Sequence, residues 1–203
     1  NIQTDTRKDE AYAEVDNSFG SFNARKHTVR AGSGLLKERW AVDARLSRIA
    51  SDGYVDRAFS DLKSYFVSGG YYGDEHVFKV NVFSGKEQTY QSWNGVPESL
   101  LESNRTYNSY TYENETDNYK QDHYQFIYAG DLGNNWKANA ALHYTTGEGY
   151  YEQFRADDEL IAYNLPPVSI GNELIESTDL IRRRWLDNNF YGAVFSLYYV
   201  SGN

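Results

Sequence analysis

The sequence predicts an all-β protein, an antiparallel up-and-down sheet of the transmembrane β-barrel type. Three observations predict it. Short segments alternate apolar and polar residues, most clearly at 40–46 and 136–144, and a period of two gives the two faces of a strand different surroundings. Aromatic residues lie at the ends of these segments, where membrane barrels carry interfacial girdles. The connections are short at one end of the strands and long and polar at the other.

Four predicted strands with brief connections make up the first half of the chain. Gly20-Ser21 is predicted to close the first hairpin, and Asp52-Gly53 has the composition of a turn before the fourth strand. The third strand carries the strictest alternation, whereas the second has an ambiguous apolar face. The four strands are predicted at residues 11–19, 22–34, 40–49 and 61–72.

The second half contains four longer strands and two long polar connections. Gly73-Asp74-Glu75 forms a tight turn before the fifth strand, and residues 132–135 turn the chain into the seventh. Residues 91–117 and 155–183 are predicted as loops. A loop of about 25 residues is rare in a compact soluble domain but ordinary on the outer side of a membrane barrel. The strands are predicted at residues 76–90, 119–129, 136–154 and 184–200.

The alternation assigns each side chain of the clearest strands to one of two faces. The apolar set is expected to meet lipid and the polar set to line the lumen. The predicted lipid face consists of Trp40, Val42, Ala44, Leu46, Phe78, Val80, Val82, Trp136, Ala138, Ala140 and Leu142. The predicted lumen face includes Asp43, Arg45, Lys79, Asn81, Lys137 and Asn139.

Composition narrows the classes of function. The 203 residues carry a net charge of −9, whereas a nucleic-acid-binding protein would show a basic stripe, so no nucleic-acid partner is expected. There is no cysteine, and therefore neither a disulfide framework nor a thiolate site. Aromatic residues make up 16% of the chain and include 19 Tyr. Such residues suit surfaces that are apolar at one end and wet at the other, as in membrane girdles or carbohydrate-binding clefts.

Four stretches together resemble the barrel of TonB-dependent outer-membrane receptors, close to the iron-complex branch of that family. The resemblance is strong over residues 11–73 and rests on the hairpin pattern alone as far as residue 200. The stretches are Tyr12-Ala13-Glu14-Val15, Gly20-Ser21-Phe22-Asn23-Ala24-Arg25-Lys26, Gly32-Ser33-Gly34-Leu35-Leu36 and residues 43–58.

The resemblance implies a transport receptor in the outer membrane of a Gram-negative bacterium. It implies active import of a scarce nutrient such as a ferric siderophore, haem or cobalamin, with energy supplied through the TonB complex. In that family a plug domain precedes a barrel of about 22 strands. Residues 1–203 are therefore expected to be the N-terminal portion of such a barrel, with about eight strands, no plug and outer-membrane lipid as a partner.

The sequence contains no recognisable pattern of catalytic or metal-ligating residues. The four histidines lack the spacing of a metal site, and the 29 acidic residues offer no distinctive pair for glycoside hydrolysis. Nucleophile elbows and phosphate loops are also absent from the sequence. The acidic segments 113–117 and 157–159 are expected to be solvated. We therefore expect no enzyme, no cofactor and no metal site.

The expected ligand-binding residues lie in the two long loops, and they are Tyr107, Tyr110, Tyr112 and Arg182. Tyr and Arg offer broad contact surfaces at low entropic cost, which suits capture of a nutrient such as a metal chelate. For the basic run 182–184 two interpretations stay open: a grip on an anionic ligand or on lipopolysaccharide, and a solvated strand start. Tyr119 and Tyr124 are explained at least as well by an aromatic girdle.

Three alternatives remain open from the residues alone. A soluble, secreted all-β carbohydrate-binding module would use its aromatics as a sugar platform, and a secreted β-rich glycoside hydrolase would use a carboxylate pair. Solubility without detergent would separate both from a membrane barrel. A complete eight-stranded barrel is the third, although the ending Ser201-Gly202-Asn203 lacks the terminal aromatic that such barrels share.

Overall fold

The computed structural model describes residues 8–200 and shows ten β-strands. Residues 1–7 and 201–203, which belong to the predicted domain and include its ending, lie outside the described part. Short 3-10 helices occur at Glu98–Leu100 and Leu160–Tyr163. The strands are β1 (Tyr12–Gly20), β2 (Ala24–Gly32), β3 (Trp40–Ser51), β4 (Ser60–Tyr72), β5 (His76–Tyr90), β6 (Thr116–Gly133), β7 (Trp136–Glu159), β8 (Val168–Ile170), β9 (Glu173–Ile175) and β10 (Ser177–Tyr199).

Eight of the strands form one antiparallel meander in the order β1-β2-β3-β4-β5-β6-β7-β10, and β8 and β9 pair separately. The all-β antiparallel fold and the order of the eight predicted strands are confirmed. The sheet is open, because β1 and β10 each have only one neighbour among the described strands. The eight strands therefore form a wall rather than a closed barrel by themselves. Within residues 8–200, no helix is long and apolar enough to span a membrane.

The predicted loop at residues 155–183 is wrong at both ends. Residues 155–159 continue β7, and β10 already begins at Ser177. The true connection is residues 160–176, which hold the second 3-10 helix and the β8–β9 hairpin. The sixth strand likewise begins earlier than predicted, at Thr116, so the first long loop is residues 91–115, called here the β5–β6 loop.

Two tight turns show how local backbone geometry ends the hairpins. Asn134 and Asn135 both have positive φ (49° and 66°) between the paired residues of β6 and β7, as a type I′ hairpin turn requires. The first hairpin turns at Phe22 and Asn23 (φ 59° and 53°), two residues after the predicted Gly20. Phe22 is not a residue that favours positive φ, and its ring packs on Tyr54 with centroids 5.4 Å apart.

One face of the sheet, called here the apolar face, carries apolar side chains across all eight strands. Ala140 in β7, for example, lies opposite Tyr128 in β6 and Phe195 in β10. These side chains are open to the surroundings: Val42 is 50% exposed, Leu46 63% and Phe195 71%. The eleven residues predicted for the lipid face share this side of the sheet.

Aromatic side chains border the apolar face at two levels. The inner band, beside the short turns, contains contacts such as Trp40–Tyr71 (ring centroids 4.9 Å apart) and Phe78–Tyr128 (5.1 Å). The outer band consists of Tyr65, Tyr124, Tyr144 and Tyr191, with Tyr124 and Tyr144 stacked at 6.0 Å. From Trp136 to Tyr144 the strand advances about 27 Å at roughly 3.4 Å per residue. Tilted by about 40°, as the strands of membrane barrels are, this length rises about 21 Å, close to the roughly 25 Å apolar band of such barrels.

The opposite side, called here the polar face, is the more buried of the two. Thr28, Ser68 and Asn81 are at most 2% exposed. The side chains bond across strands, as where the Asn81 amide donates to Gln125 Oε1 (3.1 Å). The residues predicted for the lumen lie on this face, since alternate residues of a strand point to opposite sides. The His123 ring also lies here, stacked on Phe83 at 4.4 Å.

Candidate functional site

The strands β6, β7 and β10 run beyond the apolar face on the side of the long connections. In β7 the apolar alternation ends near Tyr144, yet the strand continues to Glu159. Its neighbour β6 ends its pairing at Asp117, which lies opposite Tyr151. Beyond that pair, the β6-facing edge of β7 has no strand partner among the described residues and must satisfy its backbone groups in another way.

The β5–β6 loop covers this free edge of β7. The Gln91 amide donates to the Glu152 carbonyl (3.2 Å), and the Phe154 amide donates to Glu115 Oε2 (3.2 Å). Gln91 and Glu115 are 2% and 3% exposed. Two polar side chains of the loop therefore replace the missing strand, which explains why both are buried.

The same loop is fixed to the β3–β4 connection. The Arg57 guanidinium donates to the carbonyls of Asn108 (3.0 Å) and Tyr110 (2.7 Å). The Asn108 amide donates in return to the carbonyls of Asp56 (2.9 Å) and Gln91 (3.0 Å). The loop is thus an ordered polar structure that bridges the β3–β4 connection and β7 at one rim of the sheet.

Tyr112 connects the loop to a charged pair on β7 and β10. Its hydroxyl donates to Glu152 Oε1 (2.6 Å), while Arg183 Nε donates to the other oxygen, Glu152 Oε2 (2.6 Å). Burial tends to raise the pKa of Glu152, but these two donors outweigh it and the net pKa is lowered. The same hydrogen bond, with burial, raises the pKa of Tyr112. Glu152 is therefore held as a carboxylate.

The pKa of Glu115 is shifted in the opposite direction, upward. Burial raises its pKa because the charged form is disfavoured away from water, and the bond from the Phe154 amide and the nearby Arg155 only partly oppose this. Burial alone raises the pKa of Asp117 as well. The base of the loop thus contains two carboxyl groups that resist ionisation, close to a third that favours it.

A groove of about 470 Å³ lies on the polar face just below the loop. Its basic and aromatic members meet directly: Arg184 Nη1 donates to the Tyr151 hydroxyl (3.0 Å), and the Trp93 ring of the loop packs edge-on against Tyr151 (5.3 Å). Glu87 and Tyr119 line the groove on the next strands. Together with Asp117, these side chains offer one cation, two carboxyl groups, hydroxyl groups and ring faces to a ligand that enters from the loop side.

Two glycines of β7 let Tyr119 lie across the neighbouring strand. A Cβ at Gly147 would come within 2.2 Å of the Tyr119 hydroxyl, and one at Gly149 within 2.2 Å of the Asn118 carbonyl oxygen. The Tyr119 hydroxyl accepts a hydrogen bond from the Asn188 amide (3.1 Å). Tyr119 therefore faces the groove, whereas Tyr124, five residues later, belongs to the outer aromatic band on the opposite side.

The four residues predicted to bind ligand fall into two places. Tyr107, Tyr110 and Tyr112 are half-buried in the β5–β6 loop. Arg182 lies in β10 rather than in a loop, and its Nη2 donates to Gln153 Oε1 (2.6 Å). Its Nε is buried without a hydrogen-bond partner in the described part of the chain.

Trp93 and Tyr151 were not predicted as site residues, and Arg184 was named only within the basic run 182–184, for which a grip on an anionic ligand was one of two interpretations. Tyr151 and Arg184 lie within the strands predicted at residues 136–154 and 184–200, but no local pattern shows that the register places them opposite each other. The only signal that could have found them is the spacing of two between Tyr151 and Gln153 and between Arg182 and Arg184, which places each pair on one face.

The acidic segments are held by neighbouring side chains. Asp158 accepts hydrogen bonds from Arg155 Nε (3.1 Å) and the Tyr163 hydroxyl (2.6 Å), and these donors lower its pKa. Across residues 8–200, no group of three or more His, Asp or Glu side chains is placed to hold a metal ion.

Two solved structures share the fold of this chain. The closed form of the ferric-catecholate import receptor Fiu from E. coli K12 superposes with a TM-score of 0.69 at 12% identity, covering 97% of this chain and 30% of the receptor. The open form gives 0.70 at 13% identity, covering 98% and 33%. The chain therefore spans about a third of the length of these receptors. Neither a protein-family model nor a curated protein sequence matches the chain. At this identity the likeness shows the fold alone, an antiparallel sheet like part of a receptor barrel.

Proposed function

We propose that this chain forms part of the barrel wall of a TonB-dependent outer-membrane receptor that imports a metal chelate. The observation that carries the proposal is the apolar face, which is continuous over eight strands, bordered by two aromatic bands and backed by a polar face. Soluble monomers seldom expose an apolar patch of more than a few hundred Å². In a membrane the same face meets lipid, and the polar face meets a wet lumen.

Closure of the barrel requires strands beyond the eight described. The free edges of β1 and β10 would be exposed backbone in an open sheet, which a bilayer does not tolerate. We propose that they pair with further strands of a barrel of about 22, as in large outer-membrane transporters. Residues 1–203 would then be the N-terminal part of a barrel domain whose plug and TonB contacts lie elsewhere in the protein.

The groove and the β5–β6 loop are the proposed site of ligand capture. Arg182 and Arg184 lie on the polar face of the strand extensions. The β5–β6 loop, which holds Tyr107, Tyr110 and Tyr112, covers the neighbouring free edge of β7. Guanidinium groups and tyrosine rings suit a bulky, anionic, aromatic ligand. The receptors of similar fold import ferric catecholates, so we propose a ferric siderophore of that chemistry, ahead of haem or cobalamin.

Nutrient uptake by the intact receptor tests this proposal. Cells that depend on a ferric catecholate for iron are compared with wild type when Arg184 and Tyr151 are replaced by Ala. Uptake is expected to fall while barrel assembly, measured by heat-modifiable gel mobility, stays normal, because groove residues add little to sheet stability. The matched control replaces Arg25 and Tyr54, which lie at the same rim but away from the groove.

Three results would contradict the proposal. Unchanged uptake by the Arg184 and Tyr151 variant would remove the groove from the path of the ligand. An equal loss in the control would show a general effect on the rim. Recovery of the wild-type protein in solution without detergent would favour a secreted carbohydrate-binding module or hydrolase.

A further inference from the structure

One register row on the side of the apolar face carries a basic residue on five successive strands. Each member lies directly opposite the next, from β2 to β6. The row, called here the basic row, consists of His27, Arg48, Lys63, Lys86 and Lys120. Like charges directly opposite one another destabilise a sheet. The chain as a whole is acidic, with a net charge of −9. A row of five neighbouring basic residues is therefore unexpected, and its position on the sheet calls for an explanation.

The carboxylates near the row balance only part of its charge. Asp61 accepts hydrogen bonds from Arg48 Nε (2.9 Å) and Nη2 (3.0 Å) and lies 3.5 Å from Lys63 Nζ. Asp122 pairs with Lys120 (2.7 Å). Lys86, between them, makes no ion pair with any residue in the range 8–200. Glu148 of β7, directly opposite Lys120, also acts on that lysine. Three carboxylates thus serve four permanent cations, and positive charge is left over at Lys86 in the centre of the row.

The row ends at β6 and changes sign beyond it. On β7 and β10 the same register continues with Glu148 and Asp187. His27, at the other end, shares a hydrogen bond with Asn17 Oδ1 (2.6 Å). The excess positive charge is therefore confined to a patch over β3, β4 and β5.

The basic row lies directly above the apolar face. The next row toward that face contains Val29, Leu46 and Tyr65. These apolar side chains and the cations above them line one open groove of about 540 Å³. A ligand in this groove would meet apolar surface at one end and several ammonium groups at the other. That pattern is complementary to an amphiphile with an anionic head.

We propose that the basic row binds the phosphate groups of a membrane lipid whose acyl chains lie on the apolar face below. Lys and Arg bind phosphate through charge-assisted hydrogen bonds, and each such cation near a membrane surface adds to the attraction for anionic lipid. The proposal rests on the membrane placement of the sheet but not on the transported ligand. It assigns the outer surface of β3–β5 a role distinct from that of the groove on the polar face.

Two matched variants test the proposal. Lys63→Gln with Lys86→Gln removes two charges from the basic row. Lys26→Gln with Lys137→Gln removes two charges from the polar face, where both lysines are exposed. The intact protein is reconstituted into phosphatidylcholine vesicles containing lipid A, a glycolipid with two phosphates. The lipid A that stays with the protein after extraction in mild detergent is counted by native mass spectrometry.

Wild type and the polar-face variant are expected to retain lipid A, and the basic-row variant to retain roughly tenfold to thirtyfold less. Dephosphorylated lipid A is expected to be lost from all three proteins. Inorganic pyrophosphate without lipid is expected to show no saturable binding, because it cannot use the apolar half of the groove.

Each other outcome overturns the proposal. Equal retention by the basic-row variant shows that the row does not hold the lipid, and equal loss from the polar-face variant shows a bulk charge effect. Retention of dephosphorylated lipid A shows contact through acyl chains alone, and saturable pyrophosphate binding shows a phosphate site rather than a lipid site. Failure of wild type to enter vesicles of any composition contradicts the membrane placement itself, whereas insertion without lipid A retention contradicts only the basic row.

Discussion

Asn139 and Ala140 are neighbours in β7 whose side chains meet opposite surroundings. Ala140 lies between Tyr128 and Phe195 on the apolar face, and Asn139 lies between Ala129 and Ser196 on the polar face. An arginine at position 140 would have to enter lipid, whereas an arginine at position 139 would enter a wet lumen.

We therefore predict that Ala140→Arg destabilises the barrel by about 2–4 kcal/mol, the cost of a cation near the middle of a bilayer. Asn139→Arg should cost much less, because the side chain is exposed on the polar face. Equilibrium unfolding in urea, with refolding into lipid vesicles, measures both. Equal destabilisation by the two variants would contradict the assignment of faces.

Glu115 supplies a pH-dependent contribution to the closure of the β5–β6 loop. Its pKa is raised above the ordinary 4.5 because it is buried. A raised pKa means that the closed loop binds more protons than the open loop between the ordinary and the raised value. The contribution of Glu115 to the stability of the closed loop is therefore fully present below about pH 4.5, and it is lost as pH rises through the raised pKa.

Glu115→Gln should remove this dependence and leave the loop better protected at neutral pH. Gln keeps an oxygen that can accept the Phe154 amide and carries no charge to desolvate. Hydrogen exchange of residues 91–115, corrected for intrinsic rates, is compared between wild type and variant from pH 4 to 8, in steps of about one unit. The difference isolates Glu115, since Glu152 titrates in both proteins. Loop protection that falls equally with pH in both would contradict the prediction.

Residue-level prediction from the sequence was sound for the face of a side chain and weaker for its surroundings. Alternation placed Asp43 and Asn139 together on the polar face, yet Asp43 is 8% exposed and accepts the Tyr12 hydroxyl (2.9 Å), while Asn139 is open. The alternation of residues along a strand predicts only the face of the sheet to which a side chain points. Which cross-strand partner fills the space depends on the register, which no local pattern specifies.

At the scale of elements, the apolar segments were predictable and the strand extensions were not. Residues 155–159 and 177–183 carry charged or polar residues on both faces, so no period of two marks them as strand. They pair because β7 and β10 continue a ladder that is already formed, from Trp136↔Tyr199 to Ser177↔Glu159. Arg182 was consequently assigned to the loop that precedes β10 rather than to β10 itself.

The turns illustrate a second limit. Residues 73–75 and 132–135 were recognised because Gly, Asp and Asn favour turn conformations. The first hairpin instead turns at Phe22-Asn23, where register places two consecutive positive φ angles on residues that include a phenylalanine. Pairing between β1 and β2 overrides the local preference there.

Close approach of β6 and β7 at the groove depends on Gly149. An added Cβ would meet the Asn118 carbonyl oxygen at 2.2 Å and the Tyr119 Cα at 2.7 Å, both of them backbone atoms that cannot rotate away. Gly85 in β5 lies on the same face of the sheet, and a Cβ there meets nothing within 4 Å.

Gly149→Ala is expected to destabilise the protein by about 1–3 kcal/mol, as overpacking does, and to disturb the groove at Tyr119. Gly85→Ala should be neutral or slightly stabilising, because glycine weakens a strand interior. Urea unfolding measures the stability of both variants. A neutral Gly149→Ala variant would show that the two strands are not as tightly apposed as described.

At the scale of the molecule, the sequence predicted a two-faced antiparallel meander and left its closure undefined. The order of eight strands follows from short hairpins, because consecutive antiparallel strands pair as neighbours. The groove was not predictable, since it joins Tyr151, Arg184 and Trp93 from β7, β10 and the β5–β6 loop. Such a site exists only once the loop covers the free edge of β7.

The central claim is that the apolar face meets lipid, and cysteine labelling along β7 tests it most directly. The chain has no natural cysteine, so each single-cysteine variant from Ala138 to His143 carries one thiol. In intact outer membranes, positions 138, 140 and 142 should react with a lipid-phase probe, and positions 139, 141 and 143 with a water-soluble maleimide. A strict alternation of the two reactivities is the expected result, and equal labelling at neighbouring positions would contradict the account.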